Sequence, residues 1–334
     1  MSTRGPLESV PPASPDTAYR TGTGPSRPRD HLLGMTPVWL GLLMVLLFAL
    51  GACQPVMPVA EGEPPAAEAT APEPTAEAVA HGDPEAGAYL VTIAGGCGCH
   101  FNRDLGALAG GNRFEGSYGV VYARNITPHE GTGLGGWTET QIADALRLGV
   151  RPDGTQLFPI MPYRDYSALP DPEALDIAAY LLSLEPVENA VPARELQAEP
   201  AAFTPDPPPP AESPTDPVAR GEILVKLARC GRCHTPTNED GSPNMEMYLA
   251  GKPINEDEIA ANITPDDETG IGLWTEEEIA TFLRTGMLSD GSQIVGTMAT
   301  QIERSFSHLT EEDALAIAAY LKSIPPVNHD PFSQ

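Results

Sequence analysis

A chain of 334 residues has room for two small domains. Its 19 Lys and Arg against 46 Asp and Glu give a formal charge of −27, which excludes nucleic acid as a partner, because a phosphate-binding face needs cations in excess. The five cysteines are too few for a disulfide framework once motifs have claimed their share.

The first apolar run, residues 37–52, follows Arg27 and Arg29 and stops short of the ~20 residues a spanning helix needs. Residues 1–52 therefore read as a signal peptide, with an uncleaved membrane helix as the alternative. The run ends in Leu50-Gly51-Ala52-Cys53, which is similar to the lipobox of bacterial lipoproteins. That similarity implies acylation of Cys53 and a lipid anchor on the periplasmic face of the cell membrane. Residues 53–82, rich in Pro, Ala and Glu, read as an acidic tether.

A helix is expected over 84–94, with Pro84 in its first turn. Gly96-Cys97-Gly98-Cys99-His100 follows, then Asn125-Ile126-Thr127-Pro128 and Thr132-Gly133-Leu134-Gly135-Gly136-Trp137-Thr138. Thr138 and Gln141 open a helix expected to end at Gly149. A loop then carries Met161, and a further helix is expected over 172–184. Residues 188–215 contain the run Pro207 to Pro210 and read as a semi-rigid, extended linker.

Beyond the linker the same order returns. A helix over 218–228 leads into Cys230-Gly231-Arg232-Cys233-His234. Asn262-Ile263-Thr264-Pro265 and the Trp274 segment then repeat their first copies at an offset of 137 residues. Thr275 to Glu278 is a capping-box pattern for a helix ending at Gly286, and Thr310 caps a last helix reaching Ser323. Ile177-Ala178-Ala179-Tyr180-Leu181 matches Ile317-Ala318-Ala319-Tyr320-Leu321. Strand-like alternation is scarce. The expected fold class is all-α, with tandem domains at 83–187 and 216–327 and a tail at 328–334.

C-x-x-C-H is the attachment sequence for covalent haem. Cys230 and Cys233 add their thiols to the haem vinyl groups, and His234 becomes an axial iron ligand. The first copy departs from this spacing. Gly87 to His100 and Gly221 to His234 are both 13 positions, so Gly96 stands where Cys230 stands and Cys97 comes one residue late. Cys99 keeps its place and is expected to form a thioether. For Cys97, no bond, a strained second bond, or a first repeat without haem all stay open, although retention of His100 speaks against haem loss. With Cys53 set aside for lipid, no cysteine is left for a disulfide.

Met161 and Met298 are also separated by 137 residues. A lone methionine in a loop is ordinarily packing, but retention in register beside a haem motif points to thioether ligation of iron on the face opposite His100 and His234. His129 and His308 align with Asp266 and Ala168, and His81 and His329 lie in terminal segments. None of these four histidines recurs, so they read as surface residues. A His/Met haem has both axial positions filled, which describes an electron carrier.

These motifs resemble the class I c-type cytochromes, and among them the cytochrome c subunits of bacterial periplasmic alcohol, aldehyde, gluconate and molybdenum-containing dehydrogenases. The resemblance implies two haem c groups, and first and last helices that cross at Gly87 and Gly221 with Tyr180 and Tyr320 facing them. It implies electron transfer between a dehydrogenase donor and an oxidase or cytochrome acceptor. The acidic charge would steer redox partners with basic docking surfaces. The alternative is a di-haem peroxidase-like enzyme, in which one iron opens its sixth position.

Overall fold

The computed structural model describes residues 81–332. The signal peptide, Cys53 and all but the end of the tether lie outside the described residues. The described chain falls within one compact unit, 72–334.

In the first repeat, α1 (Pro84–Ile93) begins where Asp83 accepts hydrogen bonds from the Glu85 and Ala86 amides. Helix α2 (Glu139–Arg147) carries the expected capping box, Thr138 with Gln141. Helix α3 (Tyr163–Tyr166) is a single turn, and α4 (Asp171–Ser183) packs against both α1 and α2. The second repeat answers with α5 (Pro217–Leu227), α6 (Cys230–His234), α7 (Glu276–Thr285), α8 (Thr297–Arg304) and α9 (Glu311–Ser323). Thr275 and Glu278 form the capping box of α7, and Gly286 closes that helix at φ 72°, a left-handed conformation suited to glycine.

Helices α1 and α4, and likewise α5 and α9, cross in near-contact. A Cβ on Gly87 would lie 1.9 Å from the Asp176 carbonyl oxygen, and one on Gly221 would lie 1.9 Å from that of Ala316. Tyr320 meets Gly221 as expected, its Cβ lying 2.8 Å from where such a carbon would stand. The crossings bury Leu90, Ile93, Ile177 and Leu181, and their counterparts Leu224, Leu227, Ile317 and Leu321. Each such side chain contributes about 1.5–3 kcal/mol when removed from water.

The fold is predominantly helical but not purely so. Strands β1 (Arg113–Gly116), β2 (Gly119–Tyr122) and β3 (Glu195–Leu196) form an antiparallel sheet in that order. A smaller pair, β4 (Lys252–Pro253) and β5 (Ile259–Ala260), sits at the matching place in the second repeat. Strands this short carry too little alternation to be visible in sequence.

The linker's β3 pairs with the first repeat, and the Asp171 amide donates to the Pro210 carbonyl at 2.9 Å. The repeats also touch directly: α1 lies against the Phe306–His308 turn, and α3 against α5. Arg220 of α5 donates to Glu173 at 2.5 Å and to Asp313 at 2.9 Å, and the Tyr89 hydroxyl donates to Asp313 at 2.6 Å. Glu173 and Asp313 occupy the same position of α4 and α9, so one arginine serves both repeats. Arg229 reaches Asp165 at 3.3 Å.

Candidate haem-binding sites

Each haem motif follows the first helix of its repeat, after a turn with left-handed backbone. In the second repeat Arg229, at φ 57°, makes that turn, and Cys230 to His234 form α6. In the first repeat Gly95, Gly96 and Cys97 are all left-handed, at φ 92°, 71° and 54°. Only a 3₁₀ turn, Gly98–His100, remains before the histidine. Two glycines thus absorb the altered spacing, and Cys97 carries a conformation that a side chain ordinarily resists.

The two histidines are held alike. His100 Nδ1 lies 2.7 Å from the Arg124 carbonyl oxygen, and His234 Nδ1 lies 2.7 Å from that of Ala261. A carbonyl can only accept, so Nδ1 carries the proton and Nε2 keeps a free lone pair, the arrangement a metal-ligating histidine needs. Burial pushes both imidazoles below their usual pKa, which keeps that lone pair available. Arg124 and Ala261 are main-chain partners that side-chain reasoning passes over. The available signal was their position, immediately before each Asn-Ile-Thr-Pro segment.

That segment has a structural task. Asn125 and Asn262 are buried, and each accepts from the amide and hydroxyl of the threonine two residues on. Their side-chain amides donate to Thr132 and Val187 in one repeat and to Thr269 and Val327 in the other. The knot ties the residues after the last helix to the loop beneath the histidine's carbonyl partner. His129 accepts from the Thr132 amide, just as Asp266 accepts from Thr269. It is therefore a loop residue equivalent to an aspartate.

Cys97, Cys99, Cys230 and Cys233 are free thiols. Burial raises Cys97 to about 11 and Cys230 to about 12, so both thiols stay protonated near neutrality. Among the described residues no cluster of three or more His, Cys, Asp or Glu side chains could hold a bare metal ion. Cys97, Cys230, Met161 and Met298 all pack at the margin of the hydrophobic core. Met161 lies in a bend, as expected for a loop, whereas Met298 lies in the first turn of α8. Its N-cap, Gly296, has no side chain, and Glu258 takes over by accepting from the Thr297 amide at 2.7 Å and hydroxyl at 2.5 Å. Tyr163, fully buried two residues after Met161, has a hydroxyl without a hydrogen-bond partner. Free thiols, an imidazole with Nε2 available and a half-buried thioether occur in both repeats, and the first repeat adds a spare buried donor; this is chemistry that suits haem.

No protein-family model matches the chain. Over 275 residues it is 36% identical to the fructose dehydrogenase cytochrome subunit of Gluconobacter japonicus, covering 76% of this chain and 55% of that protein. It is 34% identical over 264 residues to the gluconate 2-dehydrogenase cytochrome c subunit of Pantoea cypripedii, covering 71% and 58%. A diheme cytochrome c-type protein of Cereibacter sphaeroides is 32% identical over 258 residues, covering 70% of this chain and 83% of that protein. The chain belongs to the family of class I c-type cytochromes that includes the cytochrome subunits of bacterial dehydrogenases. It spans little more than half the length of the dehydrogenase subunits it matches.

Proposed function

We propose that the protein is a di-haem electron carrier whose two repeats, 83–187 and 216–327, each bind one haem c. Cys230 and Cys233 would attach the second haem and Cys99 the first. The left-handed backbone at Cys97 favours a single thioether there. His100 and Met161 would ligate one iron, and His234 and Met298 the other. The observation that carries this reading is the duplicated imidazole geometry beside the motif cysteines.

Bound haem supplies one-electron exchange between ferric and ferrous iron. The chain's own residues do the rest. The carbonyls of Arg124 and Ala261 fix the imidazole tautomer, the asparagine knots fix those carbonyls, and the apolar core excludes water. With His100 and Met161 on one iron and His234 and Met298 on the other, neither iron would keep a position for a substrate, which is what would separate a carrier from a peroxidase-like enzyme.

The donor proposed is a dehydrogenase oxidising a sugar or an aldonate, as the names of the fructose and gluconate relatives suggest, and the acceptor an oxidase or another cytochrome. With a charge of −27, the carrier would draw partners with basic docking surfaces. Acylation at Cys53 would hold it at the periplasmic face of the cell membrane. Among the described residues no helix is long and apolar enough to cross a membrane. Absorption spectroscopy of the oxidised holoprotein tests the proposal. Low-spin spectra with a methionine-to-iron charge-transfer band from both haems support it, and a substantial high-spin fraction would favour the peroxidase-like enzyme.

A further inference from the structure

We propose that the Pro-rich segment 194–210 is a brace for the Met161 segment, with Phe203 as a positioning residue for that methionine. The inference rests on Met161 being an iron ligand, as proposed above.

The segment is fixed at both ends of the first repeat. At its start β3 pairs with β2, and the Gln197 amide donates to the Tyr118 carbonyl at 2.9 Å. At its end the Pro210 carbonyl accepts from the Asp171 amide at 2.9 Å. Between these points it grips residues on both sides of Met161. Upstream, Arg194 donates to the Gln156 carbonyl at 2.7 Å, and the Phe203 amide donates to the Gln156 side chain at 3.3 Å. Downstream, the Phe203 ring packs on Tyr163 with centroids 5.3 Å apart, and the Arg164 guanidinium lies 5.4 Å from the Phe203 centroid.

The second repeat shows what this segment looks like without a brace. Gln293 and Val295 stand at the positions of Gln156 and Phe158. Gln293 is exposed and Val295 is 80% exposed, whereas Gln156 and Phe158 are half-buried. Met298 is held instead by the Glu258 cap on α8. The prolines at 200, 205 and 207–210 stiffen the brace before it docks, so little conformational freedom is lost on docking.

The test uses the oxidised holoprotein. The iron-shifted methionine methyl resonances are assigned with Met161→His and Met298→His, and imidazole is titrated as a competing ligand. Phe203→Ala should raise imidazole affinity at the Met161 haem about two- to tenfold, the scale of one aromatic contact. The Met298 haem should be unmoved, and Phe203→Tyr should restore wild-type affinity. Unchanged binding in Phe203→Ala, or an equal rise at both haems, would overturn the brace alone. If Met161→His left both methionine signals in place, the ligand assignment would fall and the brace with it.

Discussion

His100 Nδ1 and the Arg124 carbonyl oxygen are 2.7 Å apart, the same separation that joins His234 to Ala261. Since both imidazoles are locked with Nε2 free, each should act on one iron only. His100→Ala and His234→Ala are expected each to remove about half of the low-spin haem signal. Electron paramagnetic resonance of the oxidised variants checks this, and loss of both signals from one substitution would contradict it.

The asparagine knots begin at the residues that follow those carbonyls, Asn125 and Asn262. Asn262 is 2% exposed and its side chain engages Thr264, Thr269 and Val327. Asn262→Ala would leave buried donors and acceptors without partners, at a cost of about 2–3 kcal/mol. Urea denaturation of the holoprotein measures it, and a change below about 0.5 kcal/mol, the range of surface substitutions, would show that the knot is dispensable.

Gly221 is where α5 and α9 can approach. Alanine would gain about 1 kcal/mol of helix propensity, but its Cβ would meet the Ala316 carbonyl oxygen at 1.9 Å. Backbone cannot yield there without parting the helices, so Gly221→Ala should cost at least about 2 kcal/mol net. A thermal melt showing equal or greater stability would refute this crossing.

Glu173 gives the contact between repeats a pH dependence. Burial raises its pKa above the ordinary carboxyl value, with Asp313 adding to the rise while Arg220 and Ser213 oppose it. One of its buried oxygens has no partner. The folded chain thus holds this proton more tightly than the unfolded chain does. Its contribution is fully present below the unfolded value of 4.5 and is lost as pH rises through the folded value. Wild type should therefore lose stability relative to Glu173→Gln as pH increases from 4.5. Paired denaturation curves across that range check the sign, and a gain by wild type would reverse the assignment.

Much of the helical framework was legible because it is written in local chemistry. Thr138 with Gln141 and Thr275 with Glu278 announce their helices through hydrogen bonds spanning three residues. The crossing glycines were expected from the family resemblance rather than from local chemistry. What stayed hidden depends on distant partners. Strands β1 and β2 are too short to show alternation, β3 finds β2 only because the linker docks on the first repeat, Arg124 and Ala261 act through main-chain oxygens that no side chain signals, and Phe203 gains its role only when the linker folds back. Glu258 was hidden for the same reason, since it caps a helix 39 residues away.

Intact-mass spectrometry of the denatured holoprotein counts the haems on the chain, because thioether-bound haem survives unfolding. A di-haem carrier gives a single species with two haems on one chain. A species carrying only one haem, with the first repeat bare, would contradict it.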